Sequence, residues 1–184
     1  MSRNIRIAVA MLALASAAGT LQAQLAPPGK PLSVRFMGAM TIPAFGYADY
    51  TSDVGWKGQA VLSLRRGSYN SVRLEGEYNT VGSALSSGGQ FDVYGAGIGG
   101  ARVVVKGKVE QEGYLVVGGY RWDGTRCPTV STCNNYDEIQ FGTKIGSNLV
   151  LGRGQGKLMF DIHWLSTWSE PYVNMFAIGG GLRF

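Results

Sequence analysis

His163 is the only histidine in the chain, with Asp161 two residues before it and Ser166 three residues after. An imidazole beside a carboxylate and a hydroxyl could act as a general base on a nucleophile, provided the groups lie within hydrogen-bond reach. In an extended strand, side chains two apart share a face and side chains three apart do not. Asp161 therefore stands beside His163 and Ser166 opposite it. This spacing predicts an ion-pairing histidine, with Asp161 or Glu138 as partner. No catalytic residue, cofactor-binding residue or metal ligand is assigned, and no cofactor is expected.

Charged side chains recur at every second position along segments that read as strands. Arg73, Glu75, Glu77 and Asn79 alternate with Val72, Leu74, Gly76 and Tyr78. Asp161 and His163 alternate in the same way with Phe160, Ile162 and Trp164. In a first strand, Ser33, Arg35, Met37, Ala39 and Thr41 oppose Leu32, Val34, Phe36, Gly38, Met40 and Ile42. In a second, Lys57, Gln59, Ser63 and Arg65 oppose Trp56, Gly58, Ala60, Leu62 and Leu64.

The fourth strand, about Gln90 to Val103, carries glycine and apolar residues on both faces. Phe91, Val93, Gly95, Gly97, Gly99 and Ala101 are read as outward, because this sends Asp92 and Arg102 inside. The fifth is read with Tyr114, Val116, Gly118, Tyr120 and Trp122 outward and Arg121 inward. The sixth has Ile139, Phe141, Thr143 and Ile145 outward, with Glu138, Gln140 and Lys144 inward. The eighth, from Pro171 to Phe184, places Phe176, Ile178, Gly180, Leu182 and Phe184 opposite Met175, Ala177, Gly179, Gly181 and Arg183.

The inward set is thus Arg35, Lys57, Arg65, Arg73, Glu75, Glu77, Asp92, Arg102, Arg121, Glu138, Lys144, Asp161, His163 and Arg183. Eight strands of about ten residues suffice to cross a bilayer and close on themselves, which removes the unpaired edges that hydrocarbon would penalise. The fold class expected is all-β, an eight-stranded antiparallel up-and-down transmembrane barrel. Side chains just fill an interior of that size, so the inward charges are expected to form an ionic plug, with an ion path as the alternative.

Short connections after strands two, four and six and longer ones after one, three, five and seven match the turn-and-loop asymmetry of outer-membrane barrels. Trp56, Trp122, Trp164 and Trp168, with Tyr50, Tyr78, Tyr120, Tyr136 and Tyr172, fall near the long-loop ends, where an aromatic girdle belongs. The six prolines avoid the expected strand interiors.

The start of the chain reads as an export signal: Arg3 and Arg6, an apolar run from Ile7 to Ala18, then Thr20-Leu21-Gln22-Ala23. The run is shorter than the ~20 residues a membrane-spanning helix needs. Residues 1–23 are expected to be removed and 24–184 to form the barrel, with cleavage after Ala17 or Ala18 left open. The formal charge is +5, of which Arg3 and Arg6 carry two. So small and dispersed a charge makes no case for nucleic-acid binding.

Cys127 and Cys133 flank Pro128-Thr129-Val130-Ser131-Thr132 in the insertion after the fifth strand. In an exported chain they are expected to form a disulfide outside the membrane. Metal ligation by the two thiols is the alternative.

These features resemble the small eight-stranded outer-membrane barrels of the OmpA and OmpX type. The resemblance rests on Val72-Arg73-Leu74-Glu75-Gly76-Glu77-Tyr78, on Phe160-Asp161-Ile162-His163-Trp164 and on the tail Ala177 to Phe184. Gly179, Leu182 and Phe184 match the family's terminal assembly signal, while Ala177 replaces its polar position. The resemblance implies insertion by the barrel assembly machinery of a Gram-negative-type cell, contact with outer-membrane lipid and lipopolysaccharide, and a monomer; no OmpA-like peptidoglycan-binding domain is expected after the barrel. It implies a non-enzymatic envelope or surface-contact role, porin-like for small solutes at most. A lipid A-modifying enzyme and a soluble lipocalin-like binding barrel are the alternatives.

Overall fold

In the computed structural model, the described residues are 32–44, 54–82, 90–129, 132–152, 156–169 and 173–184. The expected leader lies outside them. Eight strands follow in chain order: β1 (Leu32–Pro43), β2 (Gly55–Arg66), β3 (Asn70–Gly82), β4 (Gln90–Lys106), β5 (Val109–Thr129), β6 (Thr132–Leu151), β7 (Lys157–Thr167) and β8 (Asn174–Arg183). Each pairs antiparallel with its sequence neighbours, and β8 pairs with β1 to complete a closed barrel. The seam is continued past β8 by Phe184, whose amide donates to the Val34 carbonyl at 2.8 Å while its carbonyl accepts from the Val34 amide at 3.2 Å.

The turns 67–69 and 107–108 and the adjoining ends of β6 and β7 lie at one end of the barrel, and the ends of β1, β3 and β5 and the starts of β2, β4 and β6 at the other. Gly67 and Gly107 adopt φ of 70° and 65° in the two tightest turns of the first end. Only glycine enters that region without a steric cost.

The expected long loop after the fifth strand is corrected by the structure. The segment holding Cys127 and Cys133 is no long loop, because β5 and β6 run for 21 and 20 residues and leave only 130–131 between them. Pairing lapses between Arg126 and Thr129. Pro128 falls within this irregular stretch, at the end of a strand, where its missing N–H interrupts the least pairing. The side chains of both cysteines lie outside the described residues.

The faces of β1, β2, β3, β7 and β8 are as their alternation predicts, with the expected outer set outward and the charged side chains of the expected inner set inward. Those of β4 and β5 are reversed. Phe91, Val93, Ala101, Tyr114, Val116, Tyr120 and Trp122 are buried inside. Tyr94, Ala96, Ile98, Leu115, Val117 and Arg121 are on the outside, and Arg102 is exposed. The cause is a volume match between the two strands. Gly95 is opposite Tyr120, and Gly99 is opposite Val116. A Cβ on Gly95 would stand 2.6 Å from the Tyr120 ring, and one on Gly97 would stand 2.6 Å from Val116 Cγ1. The glycine stripe of β4 makes room for the bulky side chains of β5, and together they fill the lumen.

Candidate functional site

The interior of the barrel holds the chemistry. Four cations (Arg35, Lys57, Arg73, Lys144), four carboxylates (Glu75, Glu77, Glu112, Asp161) and His163 are buried there among the described residues. Strand alternation aims each of them inward from β1, β2, β3, β5, β6 or β7, and closure of the sheet brings them together.

The pairs form one connected network. Arg35 grips Glu112 through both terminal guanidinium nitrogens, at 2.7 and 2.5 Å. Arg73 donates from Nε to Glu75 at 2.9 Å and from Nη1 to Glu112 at 3.3 Å, and its guanidinium lies 3.8 Å from the centre of the Tyr114 ring. Lys144 bridges Glu75 and Glu77. Lys57 joins Glu77 at 2.7 Å and His163 Nε2 at 2.9 Å. His163 Nδ1 meets Asp161 at 2.5 Å, and Asp161 also accepts from the Tyr114 hydroxyl at 2.8 Å. Asn148 completes the set when its amide oxygen faces Arg35 and Arg73, at 2.9 Å each, with its nitrogen toward Asp161. The network is balanced in sign, as charges buried in a low-dielectric interior must be.

Two apolar clusters pack against it. Val81, Phe91, Val93, Tyr120, Trp122, Leu165, Val173 and Met175 fill the lumen toward the long-loop end. Met37, Val61, Val150 and Met159 form a smaller cluster of their own.

The structure brings together Arg35, Lys57, Arg73, Glu75, Glu77, Lys144, Asp161 and His163 from the expected set. Arg183 is half-buried at the short-turn mouth, where it and Lys157 share Glu110. Arg65 is half-buried at the same end. Four expected members lie elsewhere. Arg121 is on the outer surface, bound through two nitrogens to Asp137 at 2.9 Å. Asp92 accepts from the outward Tyr78 hydroxyl at 2.8 Å. Arg102 and Glu138 are exposed.

Reversal of β5 also withdraws Trp122 and Tyr120 from the aromatic girdle, which retains exposed Trp56, Tyr78 and Trp168. Tyr50 and Tyr172, and the Tyr136 side chain, lie outside the described residues.

Glu112 and Asn148 are the members that sequence reasoning missed. Glu112 shares strand parity with Tyr114, so extending the fifth strand by two residues and facing that parity inward would have found it. For His163, Asp161 is the partner and Glu138 is not. Ser166 is on the opposite strand face, and no serine hydroxyl is among the hydrogen-bond partners of His163 in the described residues.

Gly179 lies on the inner face of β8, packed against Gly38 and Ala39 of β1, where a Cβ would collide with both. Leu182 and Phe184 face outward and are exposed. The terminal motif thus provides a close seam on one face and an apolar anchor on the other.

A closed eight-stranded barrel with an apolar exterior and an ion-paired interior has the architecture of the small outer-membrane barrels. Solved structures share that fold. The N-terminal β-barrel domain of Pseudomonas aeruginosa OprF superposes with a TM-score of 0.54 at 14% identity, covering 85% of this chain and 100% of that one. Neisserial surface protein A gives 0.55 at 11% identity, covering 85% and 98%. A major outer membrane protein from Thermus thermophilus gives 0.51 at 12% identity, covering 82% and 99%. No protein-family model and no curated protein matches the chain.

Proposed function

We propose that the chain is an integral outer-membrane barrel, exported through a cleaved signal peptide and non-enzymatic. In this reading it serves the envelope or makes surface contacts through its long-loop end, and its lumen is plugged. Lipid and lipopolysaccharide are its surroundings, and the barrel assembly machinery inserts it as a monomer.

One observation carries the reading: the polarity of the barrel is inverted relative to a soluble protein. Phe36, Leu74, Ile98, Phe141, Leu158, Phe160 and Ile178 are each about half exposed around the outer wall, while Lys144 and Arg73 are fully buried within. Such a wall in water would forfeit the hydrophobic stabilisation that hydrocarbon supplies. A soluble lipocalin-like barrel would carry the opposite arrangement.

The ionic network and its apolar neighbours support the plug, since conduction would require breaking buried pairs. They also support a structural role for His163, which is buried on the inner face and held by Lys57 and Asp161, away from any lipid substrate on the wall.

The test is migration of the outer-membrane fraction on gels with and without boiling. A faster unboiled band that shifts on heating is expected. Recovery of the protein in the soluble periplasmic fraction, with no heat-dependent shift, would contradict the reading.

A further inference from the structure

At the short-turn end of the lumen lie buried polar groups with no hydrogen-bond partner among the described residues. On the inner face of β2 and β3, Ser63 is opposite Arg73 and Arg65 is opposite Ser71, so the four side chains occupy two adjacent rows. Ser33 of β1 extends the first row, opposite Ser63. Each of the four on β2 and β3 has a polar atom without a hydrogen-bond partner: Ser63 Oγ, Ser71 Oγ, Arg65 Nη2 and Arg73 Nη2. Arg35 Nε, from β1, is a fifth. Ser63, Ser71, Arg73 and Arg35 are 3, 7, 0 and 1% exposed, so these are buried groups and not a solvated rim.

The nearby carboxylates are already committed. Glu75 takes Arg73 Nε, Gln59 and Lys144, and Glu112 takes Arg35 and Arg73 Nη1. Arg65 makes no ion pair among the described residues. Among the described residues, the buried and half-buried side chains of the inner face and the short-turn mouth include seven cations (Arg35, Lys57, Arg65, Arg73, Lys144, Lys157, Arg183) and five carboxylates (Glu75, Glu77, Glu110, Glu112, Asp161). Two positive charges are left over, on the side where the unmatched donors gather.

A buried donor without an acceptor is costly, and a guanidinium can only donate. We propose that the short-turn mouth of the barrel binds a phosphate-class oxyanion, held by Arg65, Arg73, Ser63 and Ser71 with Arg35 behind them. A tetrahedral oxyanion offers acceptors in several directions at once, which suits donors spread over two rows better than a planar carboxylate does. Arg65, half-buried beside the 67–69 turn, is the outermost of these groups, and Arg35 and Arg73 join the site to the ionic network.

The probe is inorganic phosphate, titrated calorimetrically into the barrel in a phosphate-free non-ionic detergent at low ionic strength. Saturable one-site binding is expected. Arg65→Gln should weaken it at least tenfold, and the paired change Ser63→Ala with Ser71→Ala should weaken it as well. Arg121→Gln, on the outer surface, should leave it unchanged. Heat-modifiable mobility checks that each variant folds, and the serine pair serves if Arg65→Gln does not.

A water-soluble short-chain phosphatidic acid supplies the second arm. Displacement of phosphate at lower concentration by this lipid identifies a headgroup as the source, and resistance to displacement identifies the free ion; either result upholds the site. Absence of saturable phosphate binding, or equal affinity in folded Arg65→Gln and the unaltered protein, overturns it.

Discussion

Glu112→Met should destabilise the folded barrel by about 3–5 kcal/mol, because it leaves Arg35 charged, buried and without a carboxylate. Glu112 is the only carboxylate paired with Arg35 among the described residues, and both side chains are 1% exposed. Asn148 can offer Arg35 one neutral acceptor, which does not replace a two-point ionic grip. Removing both charges in Arg35→Met with Glu112→Met should be much less damaging than the single change, since a buried pair replaced by apolar side chains of similar volume is often neutral. Equilibrium unfolding in lipid vesicles gives both values. A silent Glu112→Met would show that the pair is solvated and not confined to a low-dielectric interior.

The second large effect belongs to the outer wall. Leu74 and Ile98 are register partners on β3 and β4, and Ile98 is in turn opposite Val117 of β5. All three border a shallow apolar groove with Phe141 and Trp168. Leu74→Arg and Ile98→Arg should each cost about 2–4 kcal/mol in a bilayer, the range for a cation on the lipid face near the midplane. Leu74→Ile should be nearly silent, because it conserves volume and polarity. The Ile98 variant decides the orientation of β4, since a face-reversed strand would send that arginine into the lumen. Unfolding of the three variants in vesicles checks this, and a tolerated Leu74→Arg would mean that the wall does not face hydrocarbon.

The contrast between β3 and β4 explains how much could be read in the sequence. Arg73, Glu75 and Glu77 mark the inner face of β3 because a charge on the lipid side is costly, so alternation and orientation come together. The same holds for Asp161 and His163 on β7. β4 and β5 have no such marker in their central spans. Glycine opposite Tyr120 and Val116 is a packing match within the lumen, yet in one dimension it looks the same as an apolar stripe facing lipid. Asp92 and Arg102 then misled, since both lie near strand ends, where an outward charge can reach the polar boundary.

Glu112 shows the same limit from another side. Its partner Arg35 is on β1, 77 residues away, and only closure of the sheet brings the two together. The long β5–β6 hairpin was hidden by composition, because Asn, Thr, Pro and Cys at its tip are residues of loops as well as of strand ends. The count of strands, their antiparallel order and the presence of both charge signs inside were legible, because each rests on alternation within single strands.

The most direct test of the central claim, an apolar wall around an ionic interior, is the accessibility of spin labels on single cysteines replacing Leu74, Ile98, Val117 and Phe160. The labels are placed in a protein whose native cysteines are changed to serine, reconstituted in vesicles. All four should collide readily with oxygen dissolved in the bilayer and poorly with a water-soluble nickel complex. Nickel accessibility at these positions, with little response to oxygen, would contradict the account.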